Sequence, residues 1–146
     1  MAAFVMFTAS SQTFALPAAD VDQVLRMAAP TRVPGAPPWV RGVLNVHGEL
    51  VPVLDVAARL GAAPRDARPD EQLLVLSRGG RRVALQVERV LEVRELPDAG
   101  LAHLPEWATG APPLAGAALL PDGVILVQSI EPWLAAAEAA WSGASP

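Results

Sequence analysis

The chain has 146 residues, 52% of them hydrophobic and 18% charged, enough for one domain with a sizeable core or two very small ones sharing it. It holds no cysteine, which excludes a disulfide framework and a thiolate metal site. The net charge is −4, and the eleven cations, all arginine, are scattered among acids without the basic stripe that nucleic acid requires.

The opening residues, MAAFVMFTASSQ, lack the basic start and long apolar run of a secretory signal. No uncharged, proline-free apolar stretch approaches the roughly 18 residues of a membrane span, so a soluble, cytoplasmic protein with no direct membrane insertion is expected. Apolar runs bounded by turn residues then predict strands along most of the chain. Residues 4–7 and 13–16 flank a polar turn and form a first hairpin, and residues 18–23 are expected to make one helical turn. A single strand follows at 24–27. Residues 43–46 and 50–54 flank His47-Gly48, where glycine supplies the positive φ of a tight turn. Pro52 requires its strand to be at an edge or bulged there, because it donates no ladder hydrogen bond. Asp55 is suited to cap a short helix over 56–60, with Gly61 as its stop.

Residues 73–76 and 83–87 form a third hairpin across Arg78-Gly79-Gly80. A single strand at 91–96 is read with Leu91, Val93 and Leu96 inward and Glu92, Arg94 and Glu95 toward water. Residues 117–120 and 124–127 form a fourth hairpin across Pro121-Asp122-Gly123. The final helix, 130–141, aligns Ile130, Trp133, Leu134, Ala137 and Trp141 on one face, with Glu131 and Pro132 suited to its first turn.

The order hairpin, single strand, loop, hairpin therefore occurs twice, with the turn-rich segment 62–70 between the copies. The expected fold is all-β: two packed five-stranded barrels, the first about 12–65 and the second about 70–130. The strand at 3–8 and the helix at 130–141 pack across them, making residues 1–146 a single domain. A partner would bind in the cleft between the barrels, for which Val21, Val24, Met27, Ala84 and Val87 are the candidate lining residues.

The segment VPGAPPWVRGVLNVHGELVPVLDVAARLG, residues 33–61, closely resembles the signature region of the CheW-like chemotaxis adaptor family. The matching features are Pro34-Gly35-Ala36-Pro37-Pro38, Trp39, Arg41-Gly42-Val43, the turn Asn45-Val46-His47-Gly48, and the proline-containing strand ending in Asp55. Weaker similarity covers most of the chain from about Phe4 to Leu134. This resemblance implies SH3-like barrels, no cofactor and no catalytic activity. It also implies two partners: the regulatory domain of a CheA-like histidine kinase, and the tip of a chemoreceptor, a methyl-accepting protein. Arg41, Gly42, Asn45 and His47 then join the candidate contacts. Three departures fall on the family's docking surfaces, one being that Ala84-Leu85-Gln86-Val87-Glu88-Arg89-Val90 stands for the usual Gly-hydrophobic-hydrophobic-Val-Asp-x-Val strand. His47 stands where the family has arginine, and Gln23 replaces the acid of a Val-x-Glu-Ile pattern, leaving Asp22 beside it. An adaptor for chemotaxis-like signalling, recruited to receptor arrays, is the reading they support. The alternative is a divergent adaptor of a non-flagellar pathway (motility, type IV pili or development) with a different partner.

A blander reading accompanies each candidate. His47 can be a turn residue selected for backbone geometry, Asp55 a helix cap with Arg41 merely solvated, and Trp39 a plug at a barrel end in place of an interface anchor. A small β-barrel enzyme would need a base, yet His47 and His103 stand 56 positions apart with no ligand or nucleophile cluster around either. Arg78-Gly79-Gly80-Arg81 lacks the lysine and following helix of a phosphate loop. A purely structural oligomer-former or inhibitor on the same fold would need no kinase.

Overall fold

The computed structural model describes residues 2–63, 65–96, 101–102, 114–121 and 123–144. The strands are β1 (Ala2–Ala9), β2 (Gln12–Pro17), β3 (Val21–Arg26), β4 (Val40–Val46), β5 (Glu49–Asp55), β6 (Gln72–Arg78), β7 (Arg81–Val87), β8 (Arg89–Leu96), β9 (Leu101–Ala102), β10 (Leu114–Leu120) and β11 (Gly123–Gln128). Two helices, α1 (Val56–Arg59) and α2 (Ile130–Ala144), complete the set, with a 3-10 turn at Ala18–Asp20. Three hairpins turn on two residues of positive φ: Ser10-Ser11 (52° and 60°), His47-Gly48 (52° and 84°) and Gly79-Gly80 (60° and 79°). That geometry matches the right-handed twist of the flanking strands.

The strands form two sheets, β3-β6-β7-β5-β4 and β8-β1-β2-β11-β10-β9. Each curls on itself. In the first, the chain leaving β3 pairs Met27 N–H with the Glu71 carbonyl and then bridges Thr31 to Val43 of β4, the opposite edge. In the second, β8 and β9 lie on opposite edges although residues 96 and 101 are close in sequence. Laid flat, six strands would separate those edges by roughly 24 Å, whereas the intervening chain reaches about 18 Å at most. The sheet must bend round.

The expected barrel boundaries need correction. The hairpin β1–β2 precedes β3 in sequence but pairs with β8 and β11, and the hairpin β6–β7 precedes β8 but pairs with β3 and β5. Residues 12–65 and 70–130 are therefore not the two barrels; each half of the chain gives its first hairpin to the other half's sheet. The sequence repeat survives this exchange. In both sheets a single strand (β3 or β8) leads to a hairpin, whose second strand runs parallel to the next hairpin (β7 beside β5, β2 beside β11). Pro52 sits just before the parallel ladder of β5 with β7 begins at Val53, so its missing N–H falls outside that ladder.

Strand alternation distributes the apolar residues among three clusters. Phe4, Met6, Ala15 and Leu96 fill the interior of the six-stranded sheet, and Val46, Val51, Val53, Leu73, Val75 and Ala84 that of the five-stranded one. Between the sheets lie Val5, Phe7, Phe14, Leu16, Leu54, Leu74, Leu76, Val83, Leu85 and Val87, covered by Ile130, Trp133, Leu134 and Ala137 of α2. The helix face read from the sequence is thus buried where described; Trp141 lies outside the described side chains. Trp133 also donates its indole N–H to the side-chain Oε1 of the buried Gln128 at 2.9 Å.

The inward face read for residues 91–96 is also corrected. Leu96 is buried, but Leu91 is 49% and Val93 64% exposed. Positions 93 and 96 face opposite ways on a period-two strand, and a bulge opposite Met6 and Phe7 leaves Leu91 unpaired.

Candidate functional site

The expected contact residues separate into three places. Val21, Gln23 and Val24 lie on β3, Asn45 and His47 at the β4–β5 turn, and Met27, Arg41 and Gly42 toward the other end of the same sheet. Ala84 and Val87 are not available to any partner. Ala84 is wholly enclosed inside the five-stranded sheet, and Val87, 1% exposed, belongs to the core between the sheets. Their strand, β7, turns Ala84 into the interior of its own sheet and Val83, Leu85 and Val87 into the core between the sheets, so both of its faces are covered.

Gly42 is set by the fold. A Cβ there, at φ 139°, would lie 2.1 Å from the Thr31 carbonyl oxygen, within the bridge that closes the sheet. At the turn, the Asn45 side-chain oxygen accepts the Gly48 N–H at 2.7 Å, so Asn45 shapes the loop that presents His47 to solvent. Trp39 packs half-buried against the core between the sheets with the Arg59 guanidinium 4.7 Å over its ring.

Arg41 is not a solvated residue. Its Nε donates to Gln86 Oε1 at 2.8 Å and its Nη2 to Asp55 Oδ2 at 3.0 Å and to the Arg65 carbonyl oxygen. Asp55 serves twice, because its Oδ1 also accepts the Ala58 N–H as the cap of α1. Next to them the buried Glu71 takes both guanidinium donors of Arg65 at 3.0 Å and the Arg68 N–H at 2.6 Å. Burial pushes the Glu71 carboxyl up, but hydrogen bonds from Arg65, the Arg68 backbone and Gln86 outweigh it and hold the group below the usual carboxylate range. A helix cap, an ion pair and a buried amide thus fasten this end of the sheet.

Gln72 of β6 accepts the Val90 N–H of β8 at 2.7 Å, fastening the two sheets to each other there. Val24 lies opposite Leu74 and Val93 opposite Val5, and cross-strand partners project to the same face. Leu74 and Val5 are buried between the sheets, while Val24, one strand further out, is 41% exposed and Val93 64%. β3 and β8 are edge strands in equivalent positions of their two sheets, and each carries an exposed valine beside the shared core. A hollow of about 440 Å³ where the two sheets meet is lined by Arg26, Gln72, Arg89 and Val90 among others.

Sequence reasoning missed the exposure of Val93 on β8 and a set of arginines at the β6–β7 turn. Arg78 grips the buried Asp20 through both carboxylate oxygens, at 3.1 and 2.8 Å. Arg81 holds Glu131 and Glu138 of α2 at 2.6 and 2.5 Å. Arg82 joins Asp22 of β3 to Glu49 of β5, each at 3.3 Å, so the acid beside Gln23 is engaged within the protein. The signal for this hub was the charge spacing around two glycines, legible as a turn but not as a junction.

Among the described residues no group of three or more His, Asp or Glu side chains is placed to hold a metal, and no helix is long and apolar enough to cross a membrane.

Comparison with known proteins agrees with this geometry. The profile of the CheW-like domain family matches residues 3–138. The chain is 31% identical to protein PilI of Pseudomonas aeruginosa, over 88% of this chain and 68% of that protein. It is 24% identical to the chemotaxis protein CheW of Klebsiella aerogenes, over 94% and 84%, and 30% identical to protein FrzA of Myxococcus xanthus, over 77% and 66%. It thus spans about two thirds of the length of PilI and FrzA. Among solved structures, the scaffolding protein TtCheW of Thermoanaerobacter tengcongensis superposes with a TM-score of 0.78 at 24% identity, covering 87% of this chain and 83% of that one.

Proposed function

The chain belongs to the CheW-like domain family, and from that premise we propose a non-catalytic adaptor of chemotaxis-like signalling that couples a chemoreceptor-type sensor to a CheA-type histidine kinase. The observation that carries this reading is the pair of exposed valines on equivalent edge strands, Val24 on β3 and Val93 on β8, each beside a neighbour buried between the sheets; we read them as the two walls of one groove. Apolar side chains left uncovered where two sheets part mark an interaction site. The amphipathic helices of a receptor tip, each about 10 Å across, are the occupant that suits such a groove. No chemistry is required of the site. The arginines and carboxylates of Arg41, Asp55 and Glu71 bind one another or the backbone, and so act as fasteners. The protein would work in the cytoplasm, recruited to membrane receptor arrays by these contacts.

His47 and Gln23 favour a second reading within the same class: an adaptor of a non-flagellar pathway whose receptor or kinase differs at these contacts. His47 is exposed on a rigid turn, free to face a partner.

Val24→Arg tests the groove. Val21, the more obvious choice from sequence, packs against the core between the sheets, and a charge there would disturb the fold. In calorimetric titration with the signalling fragment of a cognate chemoreceptor, V24R is expected to bind at least tenfold more weakly while keeping its affinity for the regulatory domain of the kinase. Unchanged receptor affinity in folded V24R would remove Val24 from the site.

A further inference from the structure

Away from the β4–β5 turn, the five-stranded sheet holds a larger hollow of about 670 Å³. Its lining combines an apolar set, among them Met27, Pro30, Pro38 and Val40, with the guanidinium-bearing residues Arg32, Arg41, Arg65 and Arg68 and a single acid, Asp66. Arg41 and Arg65 are neutralised by Asp55 and Glu71. Arg32 and Arg68 are exposed, and no ion pair recorded among the described residues takes either of them. The hollow therefore keeps two arginines, unpaired among the described residues, against Asp66, a small positive excess in a chain of net charge −4.

We propose that this arginine-lined hollow is a second docking surface, which takes an acidic segment of a partner protein carrying apolar residues between its carboxylates. A bare anion would use the guanidinium groups and leave the apolar lining empty; a segment of mixed character occupies both. The prolines on the rim offer no N–H, so recognition falls to side chains and not to strand addition. Arg65 and Arg41 are already fixed by their carboxylate partners, which leaves Arg32 and Arg68 to meet the incoming charges with guanidinium forks suited to carboxylates. Attraction of this kind raises the rate of encounter and falls with salt. The surface requires no groove and no receptor, so it stands or falls separately from the adaptor reading.

The test uses the full-length protein and a short fluorescent peptide alternating glutamate and leucine, with a lysine–leucine peptide and inorganic phosphate as comparisons. Fluorescence anisotropy is expected to show salt-sensitive binding of the acidic peptide, weakened at least tenfold by the double substitution Arg32→Glu and Arg68→Glu and unchanged by V24R. Both arginines are exposed, so thermal unfolding of the double variant should match the parent. Equal binding by the double variant, equal binding of the lysine peptide, loss of binding in V24R, or an absence of acidic-peptide binding at low salt would each overturn the proposal. So would phosphate that displaces the peptide at equimolar concentration, because the site would then be one for small anions.

Discussion

Gly42 shows how much a single position can fix. The backbone at φ 139° lies where a side chain is strained, and the space a Cβ would need is held by the Thr31 carbonyl at 2.1 Å. Gly42→Ala is expected to cost about 2–5 kcal/mol in urea unfolding, from overpacking plus backbone strain. It should also speed amide exchange at Thr31 and Val43, whose mutual bonds close the sheet. Glu71 contributes to stability through its charge. Its folded pKa lies below the unfolded value, so its contribution is complete above roughly pH 4.3 and disappears as pH falls through the folded pKa. Glu71→Gln should therefore lower stability by about 1–3 kcal/mol at neutral pH, nearer the lower figure because Arg65 is 37% exposed and screened. The difference from the parent should shrink in acid, and a constant difference from pH 7 to pH 3 would contradict this role. At this scale the sequence was a good guide to backbone needs and a poor one to pairing. The His47-Gly48 turn and the Asp55 cap were readable because turn and cap chemistry is local. The grip of Arg41 on Gln86 was not, since 45 positions separate them.

Among the elements, α2 and β8 illustrate opposite cases. The 3.6-residue spacing of α2 was legible, and its buried face proved to cover the core between the sheets. Trp133→Ala should cost about 3–5 kcal/mol in urea unfolding, because it opens a cavity under the helix and deprives Gln128 of its donor. A loss below about 1 kcal/mol would show the helix to be peripheral. β8 was legible as a strand but misread as to its faces. Hydrophobicity alone cannot say whether an apolar strand residue serves a core or a partner, and here a bulge opposite Met6 and Phe7 shifts the alternation. Pattern reading therefore could not assign the side to which the exposed Leu91 and Val93 belong. Ala84 and Val87 erred the other way: their apolar character was real, but their strand is covered on both faces.

For the molecule as a whole, strand count, hairpins and repeat could be read from turn signals, and the motif at residues 33–61 pointed to the family. The exchange of hairpins between the sheets could not. Strand pairing between segments far apart in sequence leaves no local mark, and β1–β2 satisfies its own turn and alternation in either sheet. That exchange has a functional consequence. It makes β3 and β8, the single strands of the two halves, the equivalent edge strands between which the docking groove is proposed, and it joins the sheets through a shared core larger than either interior. Docking in this groove is the central claim, and two equally exposed valines of the same sheet test it directly. Val93, 64% exposed, lies on β8, whereas Val124, 58% exposed, lies on β11, three strands along the same sheet. Calorimetric affinity for the chemoreceptor signalling fragment should fall at least tenfold in Val93→Arg and stay within about twofold in Val124→Arg. Equal affinities in the two folded variants, or the reverse order, would contradict the account.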